Sequence, residues 1–197
     1  MSNDGVNAGR RRFLVAATSV VGAAGAVGVA VPFVGSWFPS AKAKAAGAPV
    51  KVNVSKVEPG QQIVAEWRGQ PVFVLNRTQE MLGGLDKHAA QLADPDSKDS
   101  VQPAYVNPEQ RSIKPELLVL VGLCTHLGCS PVFRPEVAPA DLGPEWVGGY
   151  FCPCHGSRYD LAGRVYKGQP APLNLPVPDY SYESNDVIVI GVAQEKA

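Results

Sequence analysis

All four cysteines of this 197-residue chain, and two of its three histidines, fall in two six-residue stretches. These are Cys124-Thr125-His126-Leu127-Gly128-Cys129 and Cys152-Pro153-Cys154-His155-Gly156-Ser157. Each follows an apolar run of strand character, Leu117–Leu123 in the first case and Tyr150-Phe151 in the second. Glycine and proline within them let the backbone turn tightly. Thiols and imidazoles at this density form a metal-binding pattern, and a fold that carries them must bring two strand ends together. The residues alone leave the ligand set open. A Cys2His2 site uses four of the six candidates, and two neighbouring thiols left over in an oxidising compartment would pair.

The rest of the body reads as short strands and turns. Glycine and proline number 38, and charged residues are only 18% of the chain, which disfavours long surface helices. Val50, Val52 and Val54 alternate before a Pro59-Gly60 turn. Gln62–Trp67 and Pro71–Asn76 form an expected hairpin across Arg68-Gly69-Gln70. Residues 78–92 have helical spacing, weakened by Gly83-Gly84. Asp94 to Glu116 is polar and proline-interrupted, hence a loop. Val147–Phe151, Tyr159–Val165 with a turn at Ala162-Gly163, and Val187–Val192 complete the expected strands. The predicted fold is all-β and antiparallel, with a small helical insertion. His88 reads as a surface residue of that insertion, and Asp94, Asp96 and Asp99 as a solvated loop. There is no phosphate-binding glycine loop and no serine-nucleophile motif.

The N-terminus has a different character. No charge occurs from Phe13 to Ala41, and Phe13–Phe38 is long enough to cross a hydrocarbon core of about 30 Å as a helix. Arg10-Arg11-Arg12-Phe13-Leu14 looks like a twin-arginine export signal, which moves folded proteins. Bases on this flank keep that end in the cytoplasm and put the body on the outer, periplasm-like side. A cleaved signal is the alternative, with Ala41-Lys42-Ala43 or Ala43-Lys44-Ala45 as the small-residue site. The expected organisation is a cytoplasmic segment 1–12, an anchor 13–38, a tether 39–50 that is extended or helical, and a body 51–197. The formal charge is zero, but residues 1–51 hold six bases and one acid, so the remainder is −5. A mildly acidic body argues against nucleic acid as a partner.

The paired loops resemble the cluster-binding loops of Rieske iron–sulfur proteins, in which two histidines replace two cysteines on one iron of a 2Fe–2S centre. The anchor, the tether, Trp67-Arg68-Gly69-Gln70-Pro71-Val72 and Gly168-Gln169-Pro170-Ala171-Pro172 are similar to the subunit of the quinol–cytochrome c oxidoreductase (cytochrome bc) complexes. The resemblance spans nearly the whole chain. It implies a Rieske-type β domain with a cluster-binding subdomain, carrying one 2Fe–2S cluster. It implies Cys124 and Cys152 on one iron, His126 and His155 on the other, and a Cys129–Cys154 disulfide. Ser157 and Tyr159 match hydroxyls that hydrogen-bond the cluster.

The resemblance further implies a quinol–cytochrome c reductase subunit in a bacterial inner membrane, its head periplasmic, within a dimeric complex. The chain would accept an electron and a proton from ubiquinol, with His155 and His126 facing the quinol. It would pass the electron to a c-type cytochrome, contributing to proton translocation. Cytochrome b and a c-type cytochrome are the implied partner subunits. Leu127 and Gly128 at the loop tip, with Pro170 of the proline-rich segment, would dock on a partner; ordinary loop packing is the alternative for Leu127. Replacing two thiolates by neutral imidazoles raises the potential, within about −150 to +300 mV. Two hydroxyl donors raise it further, which suits ubiquinol. Competing readings are the Rieske subunit of another exported oxidoreductase, such as an arsenite oxidase-like enzyme, and a structural zinc module, whose usual ligand spacing this pattern does not follow.

Overall fold

The computed structural model describes residues 5–195. Asp4 and the extreme ends of the 1–12 and 51–197 segments lie outside the described residues. The chain divides into two compact units, Met1–Ala45 and Ala46–Ala197.

The first unit is dominated by α1 (Ala8–Gly35), a helix of 28 residues and about 42 Å at 1.5 Å per residue. Its side chains are exposed all round, the distribution of a helix that meets an apolar medium rather than a protein core. It starts before the charge-free run because the Asn7 side chain accepts a hydrogen bond from the Arg10 amide (3.1 Å) and caps the arginine turn. A short helix, α2 (Ala41–Ala46), follows, with the Ser40 hydroxyl accepting from the Ala43 amide (3.1 Å).

The second unit is built from antiparallel sheets. β2 (Gln62–Trp67), β3 (Gln70–Asn76) and β4 (Leu117–Val121) make one three-stranded sheet, in that order. The expected hairpin is present, with Trp67 opposite Gln70 across Arg68-Gly69. Every residue of β4 is buried, which is why its apolar run shows no alternation. A second sheet has the order β1 (Val50–Asn53), β9 (Val187–Ile190), β8 (Tyr180–Ser184). Residues 78–92 form α3 (Gln79–Gly84), capped by Thr78, and then a 3₁₀ turn Asp86–Gln91. The α-helix gives way just after Gly83-Gly84, where it is intrinsically weakest.

The third sheet, β5 (Val132–Arg134), β6 (Gly149–Phe151) and β7 (Arg158–Tyr159), holds both Cys/His loops. The expected strand Tyr159–Val165 contracts to the end of β7 and a single Tyr159–Val165 bridge, because the chain reverses at Gly163. This subdomain is fixed to the base by the Tyr150 ring, which stacks on Phe73 of β3 at 5.5 Å and 6°. β6 and β7 come so close that a Cβ on Gly149 would lie 2.0 Å from the Tyr159 carbonyl oxygen. Gly149 also has φ 153°. Gly149→Ala is therefore expected to destabilise the domain by roughly 3 kcal/mol or more, measured by urea unfolding. A loss below about 1 kcal/mol would show that the two strands can separate freely.

Candidate metal centre

The two loops close by the same backbone bonds. In the first, the Cys124 amide donates to the Cys129 carbonyl (2.7 Å) and the Gly128 amide to the Cys124 carbonyl (2.9 Å). In the second, Cys152 donates to Ser157 (2.8 Å) and Gly156 to Cys152 (2.9 Å). Gly128 and Gly156 have φ 82° and 79°, left-handed values that favour glycine. Sequence spacing thus becomes paired geometry: Cys124 matches Cys152, and Cys129 matches Ser157.

The loops meet. Cys129 and Cys154 form a disulfide across 25 residues of sequence, while Cys124 and Cys152 are free and buried. The His126 and His155 rings stand edge to face with centroids 4.6 Å apart; His155 is exposed and His126 half-buried. His126 Nδ1 is buried and has no hydrogen-bond partner, as expected of a nitrogen directed at a ligand rather than at protein. The sulfurs of Cys129, Cys152 and Cys154 also lie within 4.8 Å of one another. A bridged sulfur is not a thiolate, so that trio is not a metal ligand set. Two buried free thiols and two apposed imidazoles, one with an orphaned nitrogen, fit a metal group with mixed sulfur and nitrogen ligation.

Hydroxyls surround the thiols. Tyr159 Oη lies 3.1 Å from Cys124 Sγ and accepts from the Thr125 amide at 3.2 Å. Burial pushes the Tyr159 phenol well above its ordinary pKa, so it remains a donor. Burial also raises the Cys124 thiol, but hydrogen bonds from Tyr159, the His126 amide, Cys152 and Ser157 outweigh it and hold the group below its usual value. Cys152 is displaced upward, chiefly by burial. The Ser157 hydroxyl accepts from the Ala171 amide (3.1 Å). This seats the Gly168–Pro172 segment against the second loop.

Thr125, which residue pattern did not single out, ties the same segment to the first loop: its hydroxyl donates to the Leu173 carbonyl (2.7 Å). Only the fold reveals this contact, since the partners are 48 residues apart. Leu127 is 72% exposed, with Gly128 and Pro170 also exposed. His88 departs from its surface reading. It is half-buried in the wall of a cavity of about 250 Å³ beside Met81, Leu161 and Tyr166.

The comparisons with known proteins agree with this geometry. Residues 48–180 match the family model described as Rieske [2Fe-2S] domain. Residues 1–40 match the one described as Ubiquitinol-cytochrome C reductase Fe-S subunit TAT signal. The ubiquinol-cytochrome c reductase iron-sulfur subunit of Allochromatium vinosum is 56% identical over 97% of this chain and 92% of its own length. The mitochondrial cytochrome b-c1 complex subunit Rieske of Rattus norvegicus is 42% identical over 91% of this chain and 58% of its own length. A solved structure titled Hyperthermophilic respiratory Complex III has a TM-score of 0.47 and 26% identity, over 90% of this chain and 98% of that one. The fold and the paired loops are those of a Rieske protein, whose prosthetic group is a 2Fe–2S cluster. Within that class, the chain belongs to the family of iron–sulfur subunits of ubiquinol–cytochrome c reductase.

Two labelling states follow from the thiol inventory. In denaturant without reductant, iodoacetamide should label Cys124 and Cys152 alone, with Cys129 and Cys154 reacting only after reduction, as read by peptide mass spectrometry. Replacing both bridged cysteines by serine should cost about 3–4 kcal/mol on the chain-entropy model. Unchanged unfolding would show that the loops hold together without the bond.

Proposed function

We propose that this chain is the electron-transfer subunit of a membrane quinol–cytochrome c oxidoreductase, with Cys124 and Cys152 holding one iron of its cluster and His126 and His155 the other. The observation that carries this reading is the apposition of the two imidazoles at 4.6 Å beside two buried free thiols. When bound, the cluster supplies a one-electron centre of raised potential, because two of its four protein ligands are neutral.

The remaining chemistry belongs to the side chains. His126 directs Nδ1 inward, which leaves Nε2 as its outer nitrogen. His155 is the more exposed of the pair and is the residue to accept a hydrogen bond from a quinol hydroxyl and take its proton. Tyr159, held protonated by burial, and Ser157 donate towards ligand sulfur and favour the electron-rich state. The disulfide and the Thr125 and Ser157 bonds to residues 171–173 keep solvent and chain motion away from the buried thiols. A quinol releases two electrons and this chain has one redox centre, so a second subunit must accept the other.

Leu127 and Gly128, next to His126 in the first loop, and Pro170 of the proline-rich segment are exposed and dock on cytochrome b, with a c-type cytochrome as the electron acceptor. The match of residues 1–40 to the export-signal model and a mean hydropathy of 2.1 over an 18-residue stretch of α1 support a single-pass anchor in a bacterial inner membrane. The head then lies on the periplasmic side, within a dimeric complex that oxidises ubiquinol and contributes to proton translocation. Segment 39–50 serves as the tether that lets the head reach both partners.

The first test is electron paramagnetic resonance of the membrane protein. Ascorbate alone should develop a Rieske-type signal, whereas silence together with stoichiometric zinc would sink the assignment. Tyr159→Phe should keep that spectrum, lower the midpoint potential and reduce quinol-dependent cytochrome c reduction by about 10-fold or more. An unchanged potential would remove Tyr159 from its tuning role.

A further inference from the structure

Arg111 is the residue on which two unfavourable features coincide. It has φ 54°, a left-handed backbone that a side chain with a Cβ adopts only when its surroundings impose it. Its side chain is completely buried, and among the described residues no carboxylate reaches it as a direct partner, Asp160 and Asp94 acting on it only through space. Burial lowers its pKa to about 10, which still leaves a cation at neutral pH. A buried charge without a partner ion is costly, so its contacts identify what it holds.

The loop around it is stiff. Asn107 Oδ1 accepts from the Glu109 (2.9 Å) and Gln110 (2.8 Å) amides. The Arg111 amide donates to the Asn107 carbonyl (2.8 Å). From this mount the guanidinium donates Nε to Gln102 Oε1 (3.0 Å) and Nη1 to the carbonyls of Ala162 and Gly163 (both 3.2 Å). Those carbonyls lie in the turn that follows Tyr159. The turn is closed by Asp160 N to Arg164 O (2.9 Å), Gly163 N to Asp160 O (3.0 Å) and the Tyr159–Val165 bridge. At its start, the Tyr159 hydroxyl meets Cys124 Sγ.

We infer that Arg111 is a positioning residue for the redox centre: it grips the Ala162-Gly163 turn and thereby fixes the Tyr159 hydroxyl on the Cys124 sulfur. This rests on the reading of Tyr159 as a donor to ligand sulfur. Arg111 exerts its effect through Tyr159, not by adding charge at a distance. Removing the grip lets the phenol swing away and lowers the midpoint potential, while the cluster itself stays bound.

The test is a double-mutant cycle on the full-length, cluster-loaded protein, with the midpoint read by redox titration of the paramagnetic signal. Arg111→Met should lower the midpoint by part of the drop seen in Tyr159→Phe, and should add nothing further when Tyr159 is already replaced. An equal drop in both backgrounds would make the effect simple loss of charge and overturn the inference, as would no drop at all. A Tyr159→Phe protein with unchanged midpoint would remove the donor reading and this inference with it, a result distinct from failure of Arg111→Met alone. Should Arg111→Met not fold, Gln102→Leu frees Nε at a half-buried position. It should give a smaller drop in the same direction that again disappears once Tyr159 is replaced; a drop that persists would count against the grip.

Discussion

The bond between Cys129 and Cys154 is the constraint on which the working end of this molecule depends. Metal ligands must be held to within about 0.5 Å, yet each loop is rooted in the core only near its first cysteine, Cys124 or Cys152, and its tip is exposed. The noncovalent ties between the loops are individually weak: the His126–His155 ring contact, Tyr159 to Thr125 and Cys124, and the proline-rich segment bridging Thr125 and Ser157. A covalent link spanning 25 residues removes much of the freedom those weak bonds would otherwise have to restrain. Such a link persists only outside a reducing cytoplasm, which agrees with the export-signal match at residues 1–40.

Behind the loops, the molecule solves a backbone problem with arginine. The excursion from Asp94 to Glu116 contains no strand or helix, so its carbonyls and those of the facing turn lack ladder partners. Buried carbonyls need donors. Arg77 reaches the carbonyls of Gln110 and Pro115, and Arg164 those of Leu85 and Pro95. Arg111 does the same for Ala162 and Gly163. A guanidinium offers five donors in a fixed fork, and the three buried side chains join loop, helical insertion and cluster subdomain into one body.

Legibility from sequence followed burial. The β2–β3 hairpin and β4 were readable because long β-branched and aliphatic runs pack against the core. β5 escaped notice: three residues between Pro131 and Pro135 are too few to show a period. β8 escaped because Tyr180-Ser181-Tyr182-Glu183-Ser184 has only two large apolar positions, Tyr180 and Tyr182, too short an alternation to stand out, and its last two residues are exposed. The six Cys/His positions were conspicuous by density alone. Thr125 and Arg111 were not, since a hydroxyl or guanidinium looks the same in sequence whether it faces water or a carbonyl tens of residues away. His88 was misread for the same reason, its cavity being formed by segments remote in sequence.

The sequence by itself determined that the chain has an apolar N-terminal helix, a β-rich body and a concentrated thiol–imidazole site, because each follows from composition or spacing within a few residues. Resemblance to known Rieske subunits supplied the expected roles of those thiols and imidazoles. Tertiary structure alone decided which cysteines meet, which nitrogen of His126 lies buried without a partner, and how Arg111 reaches the turn behind Tyr159. Strand pairing and turn closure set those distances, and they act between positions tens of residues apart, beyond the range of local propensity.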